Sequence, residues 1–252
     1  MMEQGTKTRN QAEQNGHWVT LHRLRFDAVI SATDRSFPAP DHPESWRFYP
    51  CQALTADGLP SFASDVWCGF AIHDSRAQAE AMFADPAAHL PQLAEAVEHW
   101  HALAAPFAHH GSVNWRGTVQ TDSALRLVGD LGSGGGPVLV ITSAGFDADT
   151  EISAERRKAF LAGVEDVLAF YGQQSGNLRR AVFNGSGVDG REGFTVSLWR
   201  NDPEMMAGAY KTGAHRTNLD AHRADPMFDR SSFSRLRVLD SRGTWDGDPF
   251  AA

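Results

Sequence analysis

The stretch that most constrains this chain is its last quarter, FTVSLWRNDPEMMAGAYKTGAHRTNLDAHRADPMFDRSSFSRLRVLDSRGTWDG, from Phe194 to Gly247. Phe194, Val196 and Leu198 alternate with Thr195, Ser197 and Trp199, the period of a strand with one face against a core. Asp202 at the N-cap, Pro203 at the first helical position and Glu204 beside them start a helix that carries His215. Leu236 and Val238 then alternate with Arg235 and Arg237 in a closing strand.

A weaker echo of this unit lies earlier. FAIHDSRAQAEAMFADPAAHLPQLAEAVEHWH aligns with SLWRNDPEMMAGAYKTGAHRTNLDAHRADPMF, placing His89 opposite His215, and GSVNWRG aligns with GTWDG, placing Trp115 opposite Trp245. The order strand, helix, histidine, closing strand and Trp-x-Gly predicts a duplicated unit. The second half reads strand (Pro137 to Thr142), helix capped by Ser153, strand (Arg180 to Phe183), strand, helix, strand, which is the ferredoxin-like order. The expected fold is therefore α+β, two ferredoxin-like repeats packing their sheets into one barrel. The expected divisions are a disordered leader at 1–16, a first unit at 17–130 and a second at 131–252, joined near the glycines of DLGSGGG.

In the first unit, a strand is expected within Trp18 to Phe26 and another from Val66 to Ile72, followed by a helix capped by Asp74 or Ser75. The prolines from Pro38 to Pro60 predict a loop in place of the first helix. Leu93, Val97, Trp100, Leu103 and Phe107 keep helical spacing and predict a second helix. On it, His99 and His101 would point to different faces.

The formal charge of −8 disfavours nucleic acid and anionic membrane surfaces. With 42% hydrophobic residues the 252-residue chain can bury a core, yet no apolar run reaches transmembrane length. Cys51 and Cys68 are too few for a disulfide framework or a Cys-rich zinc site, which fits a reducing cytoplasm. The leader lacks the apolar core of a signal peptide, so the expected location is cytoplasmic.

Of eleven histidines, His17, His22 and His42 carry no functional reading, and His109 and His110 lack a ligand spacing for zinc. His215 and His222, seven residues apart, fall two turns apart on nearly one helix face. Two alternatives stand for them: hydrogen-bonded, inert residues at a helix and sheet junction, or a site. GSGGG lacks the Lys-Ser/Thr of a phosphate loop, and Ser186 lies in GSG without a nucleophile elbow.

Ser197, Trp199, His215, Phe228, Arg235, Val238, Leu239, Gly243, Trp245 and Gly247 fall where the spheroidene monooxygenase family has its S-x-W strand, its histidine step and its G-x-W-x-G ending, and the chain resembles that family over about half its length. It departs in the Pro-rich segment, where the family has a long helix. The resemblance implies a dimeric alpha-beta barrel that binds haem b and oxygenates a hydrophobic small molecule, with dioxygen activated at iron and electrons from an external donor. It implies His215 as the iron ligand, with His222 second. Trp199, Met206, Tyr210 and Phe228 would wall the cofactor, and Ser197 and Arg180 would be the polar catalytic groups. The rivals are a haem-dependent dehydratase or rearrangement enzyme on a nitrogen-oxygen substrate such as an aldoxime, a cofactor-free monooxygenase or isomerase with His215 as general base, and a non-catalytic binding protein. Homodimer formation is left open.

Overall fold

The computed structural model describes residues 16–31, 46–51, 63–112, 125–129, 131, 135–146, 153–184, 192–210, 213–226 and 228–249. The strands are β1 (Trp18–Ser31), β2 (Trp46–Pro50), β3 (Ala63–His73), β4 (Glu98–Gly111), β5 (Val138–Gly145), β6 (Asn177–Asn184), β7 (Glu192–Trp199), β8 (Arg230–Trp245) and the short β9 (Asp248–Pro249). The helices are α1 (Arg76–Ala84), α2 (Ala154–Gly172), α3 (Asp202–Tyr210) and α4 (Ala214–Ala224), with 3-10 turns at Pro86–Ala88 and Pro91–Glu95. No described helix is long and apolar enough to cross a membrane.

All the strand pairs are antiparallel, in the order β2-β3-β1-β4-β8-β5-β7-β6, with β9 on β8. Outward from the β4–β8 seam the order is β1, β3, β2 on one side and β5, β7, β6 on the other. Each side therefore carries the strand order of the other, and the sheet curls until an isolated bridge between Cys51 and Phe183 joins the β2 end to β6. This is the α+β barrel of two ferredoxin-like repeats. Inside it, Val19, Leu21, Phe70, Trp100, Leu139, Ile141, Val196, Leu198, Leu236 and Trp245 form one buried cluster. Phe70, Phe183 and Phe194 from β3, β6 and β7 meet with ring centroids 5.1–5.9 Å apart, packing the closure from within.

Local chemistry accounts for the helix starts. Ser75 Oγ accepts from Gln78 N at 3.3 Å, and Ser153 Oγ accepts from Arg156 N at 3.2 Å. The start of α3 differs by one residue from expectation: Asn201 Oδ1 accepts from Glu204 N at 2.9 Å, and Asp202 is already helical. Asp202 is taken instead by Arg235, whose Nη1 reaches both carboxylate oxygens at 2.8 and 2.9 Å.

Two larger corrections lie in the first half. The helix expected over Leu93 to Phe107 is a 3-10 turn followed by β4. Trp100, Ala102 and Ala104 face the barrel while Leu103 and Ala105 face outward, so both faces are buried and the strand loses its period of two. Pro106, which would break a helix interior, sits at a register shift of the β4–β8 ladder. The Pro-rich segment, expected as loop, contains β2. The leader up to Asn15, Trp115 and most of the glycine connector lie outside the described residues.

Gly243 sits on the seam opposite Trp100 with φ of +86°, and a Cβ there would collide with the His99 carbonyl. Gly243→Ala should cost about 2 kcal/mol and lower Tm by about 4–8 °C. Calorimetry against the parent protein checks this.

Candidate functional site

Because β7 alternates, Phe194, Val196 and Leu198 point into the barrel while Ser197 and Trp199 point outward, under α2 and α3. Trp199 is 1% exposed, and its Nε1–H donates to Ser197 Oγ at 2.9 Å. With Val138, Val140, Met205, Ala209 and Tyr171 it forms the outer core of the second half. Gly208 lets α3 close down, since a Cβ there would press on the Trp199 ring.

His215 stands in the first turn of α4, the helix being separate from α3. Its Nδ1 lies 2.6 Å from the Ala209 carbonyl, and a carbonyl can only accept, so Nδ1 carries the proton. Nε2 is then left with its lone pair. Tyr171 and Tyr210 flank the ring at centroid distances of 5.9 and 5.8 Å, the latter edge-on. Burial pulls the imidazole below its ordinary pKa, opposed in part by the bond to Ala209, so the ring is neutral at pH 7. Burial likewise pushes the Tyr210 hydroxyl up to about 12 and the Tyr171 hydroxyl higher still.

The structure brings Ser197, Trp199, Tyr210 and His215 into one region and separates the rest. Met206 is 39% exposed, whereas its neighbour Met205 turns inward. His222 and Phe228 belong to another aromatic group at the far end of α4: Phe228 packs on Phe160, Phe146 and His222 at 4.5, 5.3 and 5.1 Å. Arg180 is exposed and bonds Asn177 Oδ1 at 3.4 Å. It is the register partner of Ser197, but its guanidinium crosses the end of α2 at Gly172. Tyr171, which joins Trp199 edge-on at 5.0 Å to His215 at 5.9 Å, is a site residue that the sequence reading did not single out.

Among the described residues no three His, Cys, Asp or Glu side chains come together to hold a bare metal ion. A haem makes a smaller demand, because its macrocycle supplies the iron with all but the axial ligands. The residues present fit such a group in two ways. A metal-binding histidine commonly donates its other N–H to a carbonyl, the state His215 is in. The helix layer beside it is also loosely covered: Val164, Val167, Leu168 and Phe170 on α2 stay half-buried, and no described side chain of α4 is buried. An apolar stripe left partly open next to a neutral imidazole is what a flat apolar cofactor would cover.

No protein-family profile and no curated protein matches this sequence. Among solved structures, an aldoxime dehydratase in complex with butyraldoxime aligns over 91% of this chain and 81% of its own, with 13% identity and a TM-score of 0.53. A protein from Lactobacillus acidophilus described as a monooxygenase aligns over 90% and 96% at 10% identity, TM-score 0.36. A cofactor-independent oxygenase from Streptomyces nogalater covers 44% of this chain at 13% identity, TM-score 0.32. At such identities the likeness is one of fold.

Gly213, just before α4, has φ of +97°, and a Cβ there would strike the Phe170 ring. Gly213→Ala should therefore displace the first turn of α4 and break the His215–Ala209 bond. Ring nitrogen shifts of His215 report it: the parent should keep a protonated Nδ1 and titrate below pH 6.5, and the variant should lose the fixed Nδ1–H tautomer and show both neutral tautomers.

Proposed function

We propose that this chain is a haem-binding enzyme of hydrophobic small molecules, in which His215 would hold the iron, and that its reaction is oxygenation supported by an external electron donor. The observation that carries the reading is the 2.6 Å bond from His215 Nδ1–H to the Ala209 carbonyl. It fixes the tautomer, leaves Nε2 with its lone pair and makes that nitrogen more electron-donating. Bound there, a b-type haem would supply the redox metal that the side chains do not assemble.

The chain's own residues would orient and dry the site. Tyr171 and Tyr210 restrict rotation of the imidazole, and burial keeps it unprotonated at neutral pH. Ser197 Oγ accepts from Trp199, which leaves its own hydroxyl hydrogen to donate elsewhere. Ser197 is therefore the polar group offered to a substrate, and Arg180 is offered only at the surface.

A second reading, dehydration of an aldoxime without net electron input, is favoured by the fold shared with the aldoxime dehydratase. The two differ in what they consume. Turnover of a test aldoxime under anaerobic conditions supports dehydration, and dioxygen-dependent turnover with an added reductant supports oxygenation.

Protein expressed with ample haem should show a Soret band that is lost in His215→Ala and kept in His222→Ala, both variants retaining the parent far-ultraviolet circular dichroism. The reverse pattern would move the ligand to His222. A colourless parent protein would overturn the haem reading.

A further inference from the structure

The outward face of the first half-sheet collects histidines that the proposed reaction does not use. His22 on β1 and His101 on β4 are register partners, each 0% exposed, with Nδ1 atoms 2.8 Å apart. At that separation one ring donates its Nδ1–H and the other accepts, which requires an unprotonated acceptor. His99, two residues along the same face, stacks on His101 with centroids 5.0 Å apart. His101 Nε2 is buried without a hydrogen-bond partner among the described residues, so a charge placed on that ring has no group to stabilise it there.

The next strand carries a permanent cation. Arg242 of β8 is the register partner of His101. Its guanidinium lies 4.9 Å from the Phe83 ring centroid, and Nη2 donates to the Phe83 carbonyl near the C-terminal end of α1. The row His22, His101, Arg242 thus runs beneath α1. Around it stand His73 of β3, whose Nε2 meets Thr20 Oγ1 at 3.1 Å, and His89 beside the first 3-10 turn. His89 adds to the positive potential at both His22 and His73. The carboxylates of the surrounding elements include Asp74, paired with Arg126 at 2.6 Å, Glu80, paired with Arg76 at 2.7 Å, Asp85 after α1, whose Oδ1 accepts from Ala88 N at 3.3 Å, Glu95 in the second 3-10 turn, Glu98 on β4 and Asp240 on β8.

We propose that the His22–His101 pair is an acid-sensitive latch, which holds α1 and the 3-10 turns on the first half-sheet while one ring can accept from the other, and frees them when that ring is protonated. A proton on the accepting Nδ1 breaks the bond between the rings, and a proton on the donor ring's Nε2 leaves that bond but buries a charge; either one sets an imidazolium beside its neighbour and repels Arg242, whose bond to Phe83 ties α1 to β8. This inference does not rest on the role of His215.

Burial holds the His22 pKa well below its ordinary value, that of His101 at about 3 and that of His73 at about 4. A group lowered in this way binds its proton preferentially in the unfolded chain. The stabilisation is complete above about pH 6.5 and is lost as pH falls, each ring costing about tenfold in the folding constant per pH unit. Glu98, drawn down to about 2, loses its contribution only below the ordinary carboxylate range. The interval from pH 6.5 to 5 therefore isolates the histidines.

Urea unfolding of the full chain across that interval tests the latch. The double variant His22→Gln/His101→Gln should flatten the pH dependence by about a hundredfold per unit relative to the parent. Hydrogen exchange at pH 5.5, corrected for intrinsic rates, should show α1 and residues 86–95 losing protection ahead of β5 and β7. Should the double variant fail to fold, ring nitrogen shifts of the parent answer the same question, since both rings should remain neutral down to pH 5. Titration of either ring near pH 6.5 in the intact fold would overturn the latch. So would equal pH slopes in variant and parent, or loss of protection in both halves together.

Discussion

The pairing of β4 with β8 makes one molecule of two half-sheets. These long strands run antiparallel from Trp100 opposite Gly243 to Gly111 opposite Ser232, with two register shifts that let the sheet bend. One end is tied by Glu98, which accepts from Arg23 Nη1 at 2.7 Å, Arg25 Nε at 3.1 Å, Thr244 Oγ1 at 3.2 Å and Gly247 N at 2.7 Å. Burial alone would raise the Glu98 pKa, but these donors outweigh it and the group stays ionised. Removing any one donor would leave a buried charge less well paired, so the knot specifies geometry as much as it adds stability.

With the seam fixed, the inner face of the sheet is committed to the barrel core and each half is left an outward face with its own helices. The two faces use buried histidine differently. On the second half, one ring gives its proton to a backbone carbonyl and keeps a bare nitrogen beside a half-covered apolar stripe. On the first, two rings satisfy each other under α1, and Arg242 makes any added proton expensive. Both arrangements follow from one rule: burial keeps an imidazole neutral, because a charge on it would lack compensation.

Much of the fold was legible because local chemistry and tertiary structure agree. Ser75 and Ser153 announce their helices, and Phe194, Val196 and Leu198 alternate as the inner face of β7. The helix misread over Leu93 to Phe107 shows where that agreement fails. A strand buried on both faces has no polar side to reveal its period, and its alanines favour the helical reading. The error had a chemical consequence, since His99 and His101 lie on opposite sides of a helix but on one side of a strand. In the second half, Met205 and Met206 are equivalent by composition, and only the roll of α3 against Trp199 turns the first inward.

The sequence by itself determined the α+β class, the helix starts at Ser75 and Ser153, and the inward alternation of Phe194, Val196 and Leu198. These depend on residue type and on spacing within a few turns of chain. Tertiary structure alone decided which atom of His215 holds its proton, that Tyr171 shares its site, and that His22 meets His101 across 79 positions of sequence. Such facts depend on strand register and on helix roll, which are set by packing between distant segments and leave no periodic trace in either one.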